Sequence, residues 1–246
     1  MTEEHLFLLG GSGETGIIFI SQLIALGDAA PLVTLYIRAS GRAKLPAGVH
    51  SNARFRVTEG ELTDRKTLVK SLSADAKFPP VTTVISFLGA YMSLYYFLTR
   101  RKPTPIADAF NTSILPAMRE AGVKRIIALS TPSGFQYPEE TSKISWAWWA
   151  KIHIPRIMVP QGDAEMRDIA KAVLYAGAED KDLDWTIYRV GYLGDANPDI
   201  SIVVKETLLN FEGDSVTRGS LSKWLLQEVE ERKWLRKAPL VGNTAK

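Results

Sequence analysis

Short apolar runs alternate with amphipathic segments along most of the chain. Six runs are short and largely apolar, as expected for strands buried within a sheet. Several of the segments between them carry apolar residues at helical spacing. The predicted strands are residues 6–9, 32–37, 55–57, 81–88, 125–130 and 185–190, and the predicted helices lie at about 17–26, 64–72, 105–121 and 161–176. Strands separated by helices predict an α/β protein with a doubly wound parallel sheet.

The rest of the chain predicts one domain with a C-terminal elaboration. A helix is predicted near 221–231 and an apolar end at 239–241, and a loop rich in proline, serine and aromatic residues follows residue 130. Neither a linker nor a repeat interrupts the sequence. We therefore predict a single domain over 1–246, with a small elaboration over about 191–246.

Composition narrows the function classes. The chain has 246 residues, 46% of them hydrophobic and 23% charged, with a net charge of +3 and no cysteine. A charge this small does not indicate nucleic-acid binding, and the lack of cysteine excludes thiol catalysis and favours a cytoplasmic location. No apolar run has the length of a membrane span, and the N-terminus predicts a strand rather than a signal peptide. His5, His50 and His153 lack metal-ligand spacing, so no metal is expected.

A glycine-rich turn follows the first predicted strand. Gly10, Gly13 and Gly16 lie three residues apart, and residues 11–16 match the pattern G-x-G-x-x-G. Glycines at a strand-to-helix turn let the backbone approach a phosphate, and free N–H groups at the helix start bind its charge. Ile17 stands where a P-loop has lysine. The turn predicts a dinucleotide site that includes three further residues, Ser12, Glu14 and Thr15.

The end of the second predicted strand indicates which dinucleotide is bound. An acidic residue there usually holds a ribose 2′-hydroxyl, but this strand is followed by Arg38, Ser40 and Arg42. Guanidinium groups suit a 2′-phosphate, which predicts NADP(H) as the cofactor. Polar and glycine-rich residues at the other strand ends, 86–90, 130–134 and 191–194, are expected to line the site.

Several segments together resemble the NmrA-like, atypical branch of the short-chain dehydrogenase/reductase superfamily. The likeness covers about residues 5–241 and is carried by GGSGETG at 10–16, IR at 37–38, EGELTD at 59–64 and LDWTIYRVG at 183–191. It implies a Rossmann fold with NADP(H), and a C-terminal elaboration on the substrate side. The remaining cofactor contacts predicted from the resemblance and the strand ends are Glu61, Leu62, Phe87, Leu88, Gly89, Ser130 and Gly191.

The chain departs from this superfamily at the catalytic group. No tyrosine is followed four residues later by lysine, so the usual Tyr-x-x-x-Lys pair is absent. Four hydroxyl-bearing residues after the fifth strand are the candidates for catalysis: Ser130, Thr131, Ser133 and Tyr137. Asp163 and Glu165, at a predicted helix start, are expected to act as caps, and Lys143 and Lys151 to be solvated.

An aromatic segment predicts an apolar ligand. Residues 146–149 hold three of the six tryptophans, which suggests a flat, apolar small molecule. The expected substrate contacts are Phe135, Trp146, Trp148, Trp149 and Tyr192, with residues 135–149 closing over the substrate. The leading hypothesis is an oxidoreductase that reduces a carbonyl or a conjugated double bond. The alternatives are a non-redox isomerase or cyclase and an NADP(H)-sensing regulator. A homodimer is an expected assembly, with neither nucleic acid nor membrane as partner.

Overall fold

Ten strands form two sheets in the part of the chain that the structure describes. The computed structural model describes residues 4–89, 94–99, 101–141, 143–194 and 200–244. The strands are β1 (His5–Leu9), β2 (Leu32–Ile37), β3 (Phe55–Glu59), β4 (Thr83–Ser86), β5 (Arg125–Ser130), β6 (Asp184–Arg189), β7 (Tyr192–Gly194), β8 (Ile202–Lys205), β9 (Ser215–Thr217) and β10 (Leu240–Asn243). Eight of them form one sheet in the order β3-β2-β1-β4-β5-β6-β10-β8, and β7 pairs with β9.

Helices connect most of these strands. They are α1 (Glu14–Ala25), α2 (Arg65–Leu72), α3 (Leu94–Thr99), α4 (Pro105–Ala109), α5 (Leu115–Ala121), α6 (Trp146–Met158), α7 (Pro160–Glu179) and α8 (Arg218–Glu231). A π-helical turn, Phe110–Ile114, joins α4 to α5, so the helix predicted over 105–121 is present with one irregular turn.

The order of the strands places a ligand-binding crevice beside β1. The chain starts at β1, adds β2 and β3 on one side, and then adds β4, β5 and β6 on the other. All of these neighbours are parallel, with Leu8 of β1 level with Leu35 and Ile85. Ligands of doubly wound folds bind beyond the carboxyl ends of the strands where the direction of winding reverses. In this sheet the reversal lies between β1 and β4.

Both faces of the sheet are covered by helices. Leu6 and Leu8 pack with residues of α1 and α8, whereas Phe7 and Leu9 pack with residues of α2, α5 and α7. This alternation follows from the two-residue period of a strand. Because both faces of β1 are covered by helices, its residues are apolar at successive positions. The arrangement confirms the predicted doubly wound α/β fold.

Two parts of the fold differ from the sequence-based prediction. The loop predicted between residues 130 and 161 contains α6, which begins after Ser145, whose side chain accepts a hydrogen bond from the backbone N–H of Trp148 at 3.3 Å. The sheet also gains β10 and β8, of which β8 runs antiparallel to β10. Strands of three or four residues carry too few positions for a periodic signal, so β7 to β10 were not predicted.

A buried ion pair attaches the C-terminal elaboration to the sheet. Arg189, the last residue of β6, pairs with Glu140 at 2.8 Å, and both side chains are fully buried. The Arg189 guanidinium also donates to the backbone carbonyls of Ala238 at 2.7 Å and Glu206 at 2.6 Å. One side chain therefore joins the segment after β5 to two C-terminal segments. Among the described residues, no helix is long and apolar enough to cross a membrane.

Candidate functional site

The glycine turn brings the carboxyl end of β1 into direct contact with the end of β4. Gly10 has φ +77°, a left-handed conformation that favours glycine, and a Cβ there would lie 3.1 Å from Leu88 N. The Gly13 N–H donates to Gly10 O at 3.0 Å, which closes the turn. The turn therefore needs glycine at residue 10 for both its conformation and its packing.

Gly13 and Gly16 have different surroundings. A Cβ on Gly16 would lie 2.6 Å from Gly11 Cα, so this glycine is needed for packing between the helix and the turn. A Cβ on Gly13 would meet only Gly10 O, at 3.3 Å, and Gly13 is exposed. The first helical hydrogen bond runs from Ile17 N to Gly13 O, so the N–H groups of the preceding turn have no partner within the helix. This geometry fits a bound phosphate.

The side chains predicted to hold a 2′-phosphate lie on the surface after β2. Arg38 and Ser40 are exposed, and Arg38 makes no ion pair with any described residue. Arg42 instead pairs with Glu59 at 2.7 Å. Gly41, between them, packs against Ser12, since a Cβ there would lie 2.7 Å from Ser12 Oγ. Ser12 therefore positions this segment, and Arg38 is the guanidinium that is available to a ligand.

The segment that holds two predicted cofactor contacts, Glu61 and Leu62, lies beside Tyr36. The Tyr36 hydroxyl donates to the backbone carbonyl of Glu61 at 2.9 Å, and a Cβ on Gly60 would overlap that hydroxyl. Leu62 is partly buried against the core, whereas the Glu61 side chain is exposed. The segment is therefore fixed through its backbone.

One cleft of about 600 Å³ extends from the glycine turn across the carboxyl edge of the sheet. Eight of the predicted cofactor contacts line this cleft: Gly10, Gly13, Glu14, Thr15, Gly16, Phe87, Gly89 and Gly191. The other lining residues are Leu129, Thr131, Ser133, Pro155, Val159, Gly162, Asp163, Met166, Val190, Tyr192, Leu193 and Arg218. Leu88 is not one of the lining residues and packs against the core. Ala90, part of the predicted strand end 86–90, lies outside the described residues. More of the wall is apolar than polar, and its charged side chains are Glu14, Asp163 and Arg218.

The hydroxyl groups predicted for catalysis divide into two sets. Thr131 and Ser133 line the cleft, and their oxygens are 3.0 Å apart, within hydrogen-bond distance. Ser130 is fully buried, does not line the cleft, and donates to Met166 O at 3.2 Å. The geometry therefore gives Ser130 a packing position between β5 and α7, and leaves Thr131 and Ser133 as the hydroxyls that a ligand meets.

Tyr137 lies behind the cleft rather than in it. Its hydroxyl accepts a hydrogen bond from Ala238 N at 2.9 Å, and its ring packs edge-on against Phe135, with centroids 5.0 Å apart. Both rings lie beneath the Arg189 guanidinium, at 5.2 and 5.4 Å. Burial raises the pKa of the Tyr137 hydroxyl. The structure brings neither predicted residue, Tyr137 or Phe135, to the cleft wall.

The tryptophans also lie away from the cleft. Trp148 is buried, and its indole N–H donates to Phe211 O at 2.9 Å. Trp146 is 80% exposed and Trp149 50% exposed. Trp148 lines a separate cavity of about 710 Å³, whereas α6 contributes only Pro155 to the cleft. Of the predicted substrate contacts, Tyr192 alone lines it, and Ser142, within the predicted lid 135–149, is outside the described residues.

A buried carboxylate lines the cleft at the start of α7. The Asp163 side chain is 4% exposed, and its Oδ2 pairs with Arg167 one turn later. Its Oδ1 accepts no hydrogen bond from any described residue, and Arg156 Nε lies 3.8 Å from it. The sequence predicted only helix capping here. The available signal was Asp163 and Arg167 at i and i+4, in the region where the superfamily has its Tyr-x-x-x-Lys pair.

Arg218 is a cleft residue that no sequence pattern indicated. It begins α8, lines the cleft, and pairs with Glu14 of the glycine turn at 2.6 Å. It also donates to the backbone carbonyl of Gly194 at 2.8 Å. Because Glu14 and Arg218 lie near opposite ends of the chain, no local pattern could link them.

The remaining charged candidates lie outside the cleft. Glu165 accepts a hydrogen bond from Ala107 N at 2.8 Å and so caps α4 rather than its own helix, and burial raises the pKa of its carboxyl. Lys151 pairs with Asp214 at 2.7 Å. Lys143 is exposed beside the second cavity. None of the three residues lines the cleft, and Glu165 caps a helix other than the one predicted for it.

Comparison with known families identifies the cofactor class. The profile of a family described as NAD(P)H-binding matches residues 10–232. The chain belongs to this NAD(P)H-binding family. The match covers the glycine turn, the strand ends and α8, and it confirms the predicted class of cofactor. Comparison with curated proteins finds no significant match.

Several solved structures share the predicted fold. A short-chain dehydrogenase/reductase from Veillonella parvula superposes with a TM-score of 0.70 at 18% identity, covering 99% of this chain and 96% of its own; it was also solved in complex with NADP. An oxidoreductase from Lactococcus lactis superposes with a TM-score of 0.65 at 18% identity, covering 98% of this chain and 92% of its own. A protein from Bacteroides thetaiotaomicron that is named as a putative epimerase superposes with a TM-score of 0.67 at 13% identity, covering 100% of this chain and 99% of its own. These structures confirm the predicted fold, and the family match confirms that the chain belongs to an NAD(P)H-binding family.

Proposed function

We propose that this NAD(P)H-binding protein is an NADP(H)-dependent oxidoreductase acting on a carbonyl or conjugated double bond of a small, largely apolar metabolite. The observation that carries the proposal is the continuity of the cleft, which joins the glycine turn at Gly13 to the hydroxyls of Thr131 and Ser133. The dinucleotide supplies hydride chemistry when it is bound. The exposed position of Gly13 and the unpartnered N–H groups at the start of α1 fit its diphosphate.

The preference for NADP(H) rests on Arg38. Its guanidinium is exposed and makes no ion pair with any described residue, and Ser40 follows two residues later. A guanidinium forms paired, charge-assisted hydrogen bonds with a phosphate. The Veillonella protein, which has the same fold, was solved with NADP, and this supports the same choice here.

The chain's own residues would bind and orient the substrate. Gly134 N donates to Thr131 Oγ1 at 3.0 Å, which leaves the Thr131 hydroxyl proton for Ser133 or for a substrate oxygen. This hydroxyl pair would hold a carbonyl oxygen. Leu129, Met166 and Val190 line the cleft and would bind the apolar body and exclude water.

A non-redox isomerase or cyclase is the second candidate. Two observations favour it: the absence of the Tyr-x-x-x-Lys pair, and the fold shared with a protein named as an epimerase. In that case the cleft would bind the substrate in the same place, and the dinucleotide would not be consumed.

One experiment separates these candidates. NADPH and NADH are titrated against the protein by fluorescence, and the complex is then incubated with a panel of aromatic ketones, aldehydes and enones. Loss of NADPH absorbance together with a reduced product supports the oxidoreductase. Isomerised product without net NADPH loss supports the second candidate. NADPH binding with neither reaction supports the sensing regulator, and failure to bind either dinucleotide overturns both the oxidoreductase and the regulator.

A further inference from the structure

Helix α6 exposes large apolar side chains on the side that faces away from the core. Its inner side is buried through Trp148 and Ile152, which lie one helical turn apart. The opposite side, called here the outer face, carries four large apolar side chains that are 80%, 50%, 55% and 54% exposed: Trp146, Trp149, Ile154 and Met158. A surface helix normally presents polar residues to water, so an exposed apolar face of this kind indicates a binding surface.

Basic side chains border the outer face on both sides. Arg156 follows Trp149 by seven residues, and Lys151 precedes Met158 by seven residues, so each lies two turns along the same side of the helix. No acidic residue occurs anywhere between residues 143 and 162. An apolar face bordered by Lys and Arg is the pattern of a helix that lies in the interface of a lipid bilayer.

The two ends of α6 differ in their charge balance. Towards the N-terminal end, Lys151 is paired with Asp214 at 2.7 Å. Towards the C-terminal end, Arg156 and Arg167 share a single carboxylate, that of Asp163, and the two arginine side chains are 33% and 37% exposed. Positive charge is therefore in excess at the C-terminal end.

Two further basic residues lie near this end of α6. Arg101 and Lys102 are exposed and form no ion pair with a residue that the structure describes. The carbonyl of the next residue, Pro103, accepts a hydrogen bond from Gln161 Nε2 at 3.5 Å, which holds this segment beside the start of α7. The outer face thus ends beside a group of basic side chains, which fits a partner with negative charge.

This charge favours an anionic lipid surface over a second copy of the chain. The whole chain carries a net charge of +3, so two copies repel each other, and α6 itself supplies no acidic residue to a second α6. Anionic lipid head groups attract each Lys or Arg near the surface, and tryptophan side chains favour the interfacial region.

We propose that the outer face of α6 docks on an anionic lipid bilayer, with the helix lying in the plane of the interface. Pro155, within α6, and Val159, directly after it, line the cleft, so docking brings this rim of the cleft to the lipid. The proposal goes beyond the proposed function and does not depend on the reaction. The sequence predicted no membrane partner because no apolar run is long enough to span a bilayer, but an interfacial helix needs only one apolar face.

Vesicle flotation tests the docking. The wild-type protein, without dinucleotide or substrate, is mixed with vesicles of phosphatidylcholine alone or of phosphatidylcholine containing phosphatidylglycerol. We expect roughly tenfold or more protein to float with the anionic vesicles at low ionic strength, and less at high ionic strength because salt screens the charges. Absence of binding to both vesicle types, or equal binding to both, overturns the proposal.

Substitutions then test the surface itself. Ile154→Glu puts a charge into the outer face and should weaken vesicle binding about tenfold or more. Met158→Glu should do the same, and it replaces Ile154→Glu if that variant does not fold by circular dichroism. Tyr175→Glu is the matched control, because Tyr175 is 69% exposed and lies on α7, outside the outer face. The control should bind vesicles as the wild-type protein does, and undiminished binding by a folded outer-face variant overturns the proposal.

The oligomeric state separates the lipid surface from a second copy. Analytical ultracentrifugation measures it without lipid for the wild-type protein and for Ile154→Glu. A wild-type dimer that Ile154→Glu dissociates, together with no vesicle binding, assigns the outer face to a second copy and overturns the proposal. Vesicle binding by a protein that turns over no substrate contradicts only the proposed function, whereas turnover without vesicle binding contradicts only this inference.

Discussion

Among single residues, the two arginines after β2 have different expected effects on cofactor choice. Arg38 has no ion-pair partner among the described residues, whereas Arg42 is paired with Glu59. We expect Arg38→Ala to weaken NADPH binding by about 1.5–3 kcal/mol and to leave NADH binding unchanged, as for a charged hydrogen bond. Arg42→Ala is the matched control and should have a smaller effect. Dissociation constants from fluorescence titration check this, and equal NADPH and NADH curves for the wild-type protein would contradict it.

The individual glycines of the turn also differ in their expected roles. Gly13 has an extended backbone, with φ −83° and ψ 165°, and almost no close neighbours, so Gly13→Val should fold yet lose NADPH binding. A Cβ on Gly16 would overlap Gly11, so Gly16→Val should lose the fold itself. Circular dichroism and NADPH titration distinguish the two. Normal NADPH binding by folded Gly13→Val would place the dinucleotide elsewhere.

Between secondary-structure elements, the Arg189–Glu140 pair connects β6 to the segment after β5. Both side chains are fully buried, and removing one leaves the other charge uncompensated. We expect Arg189→Leu to lower the free energy of unfolding by about 3–5 kcal/mol. Arg119, which forms an exposed ion pair with Glu179, provides the control. Arg119→Leu should change the free energy of unfolding by less than about 1 kcal/mol. Urea unfolding measures the free energy of unfolding of both variants. Similar losses of stability in Arg189→Leu and Arg119→Leu would contradict the prediction.

The tryptophans of α6 lie outside the cleft, whereas the sequence predicted that they cover the substrate. Trp148 packs with Phe211, at a centroid distance of 5.8 Å, so Trp148→Ala should cost about 3–5 kcal/mol of stability. Trp149 is half exposed and stacks on His153, so Trp149→Ala should cost much less. Neither change should alter NADPH affinity. Thermal unfolding and cofactor titration are the measurements, and weaker NADPH binding in either variant would contradict this arrangement.

Across the molecule as a whole, Arg218 joins the C-terminal elaboration to the glycine turn. A diphosphate at this turn would attract Arg218 and repel Glu14, which are paired with each other. We therefore expect Arg218→Gln to weaken NADPH binding, on the order of tenfold, and Glu14→Gln to strengthen it.

The opposite signs make this prediction specific. Both substitutions remove the same ion pair. If the pair had only a structural role, both substitutions would change NADPH affinity in the same direction. NADPH titration at low ionic strength gives the comparison, because salt screens exposed charges. Nicotinamide mononucleotide, which lacks the diphosphate, is the control ligand and should respond less. Two changes of the same sign would reject a role for Arg218 in binding the diphosphate.

Features that depend on short-range patterns could be predicted from the sequence. Six central strands follow from apolar runs, because a strand buried on both faces must be apolar at successive positions. The glycine turn could likewise be predicted, since Gly16 packs against Gly10 and Gly11, which lie near it in the chain. These features were sufficient to predict the doubly wound fold and the class of cofactor.

Which side chains face the cleft depends instead on the three-dimensional packing. Ser130, Tyr137 and Trp148 carry the right chemistry near the right strand, but each is engaged by distant residues: Met166, Ala238 and Phe211. Conversely, Arg218 reaches the glycine turn from the far end of the chain, and the position of Asp163 beside Arg156 depends on how α6 and α7 pack. Sequence periodicity specifies the burial of a position, whereas the direction and partners of a polar side chain depend on contacts between segments far apart in sequence.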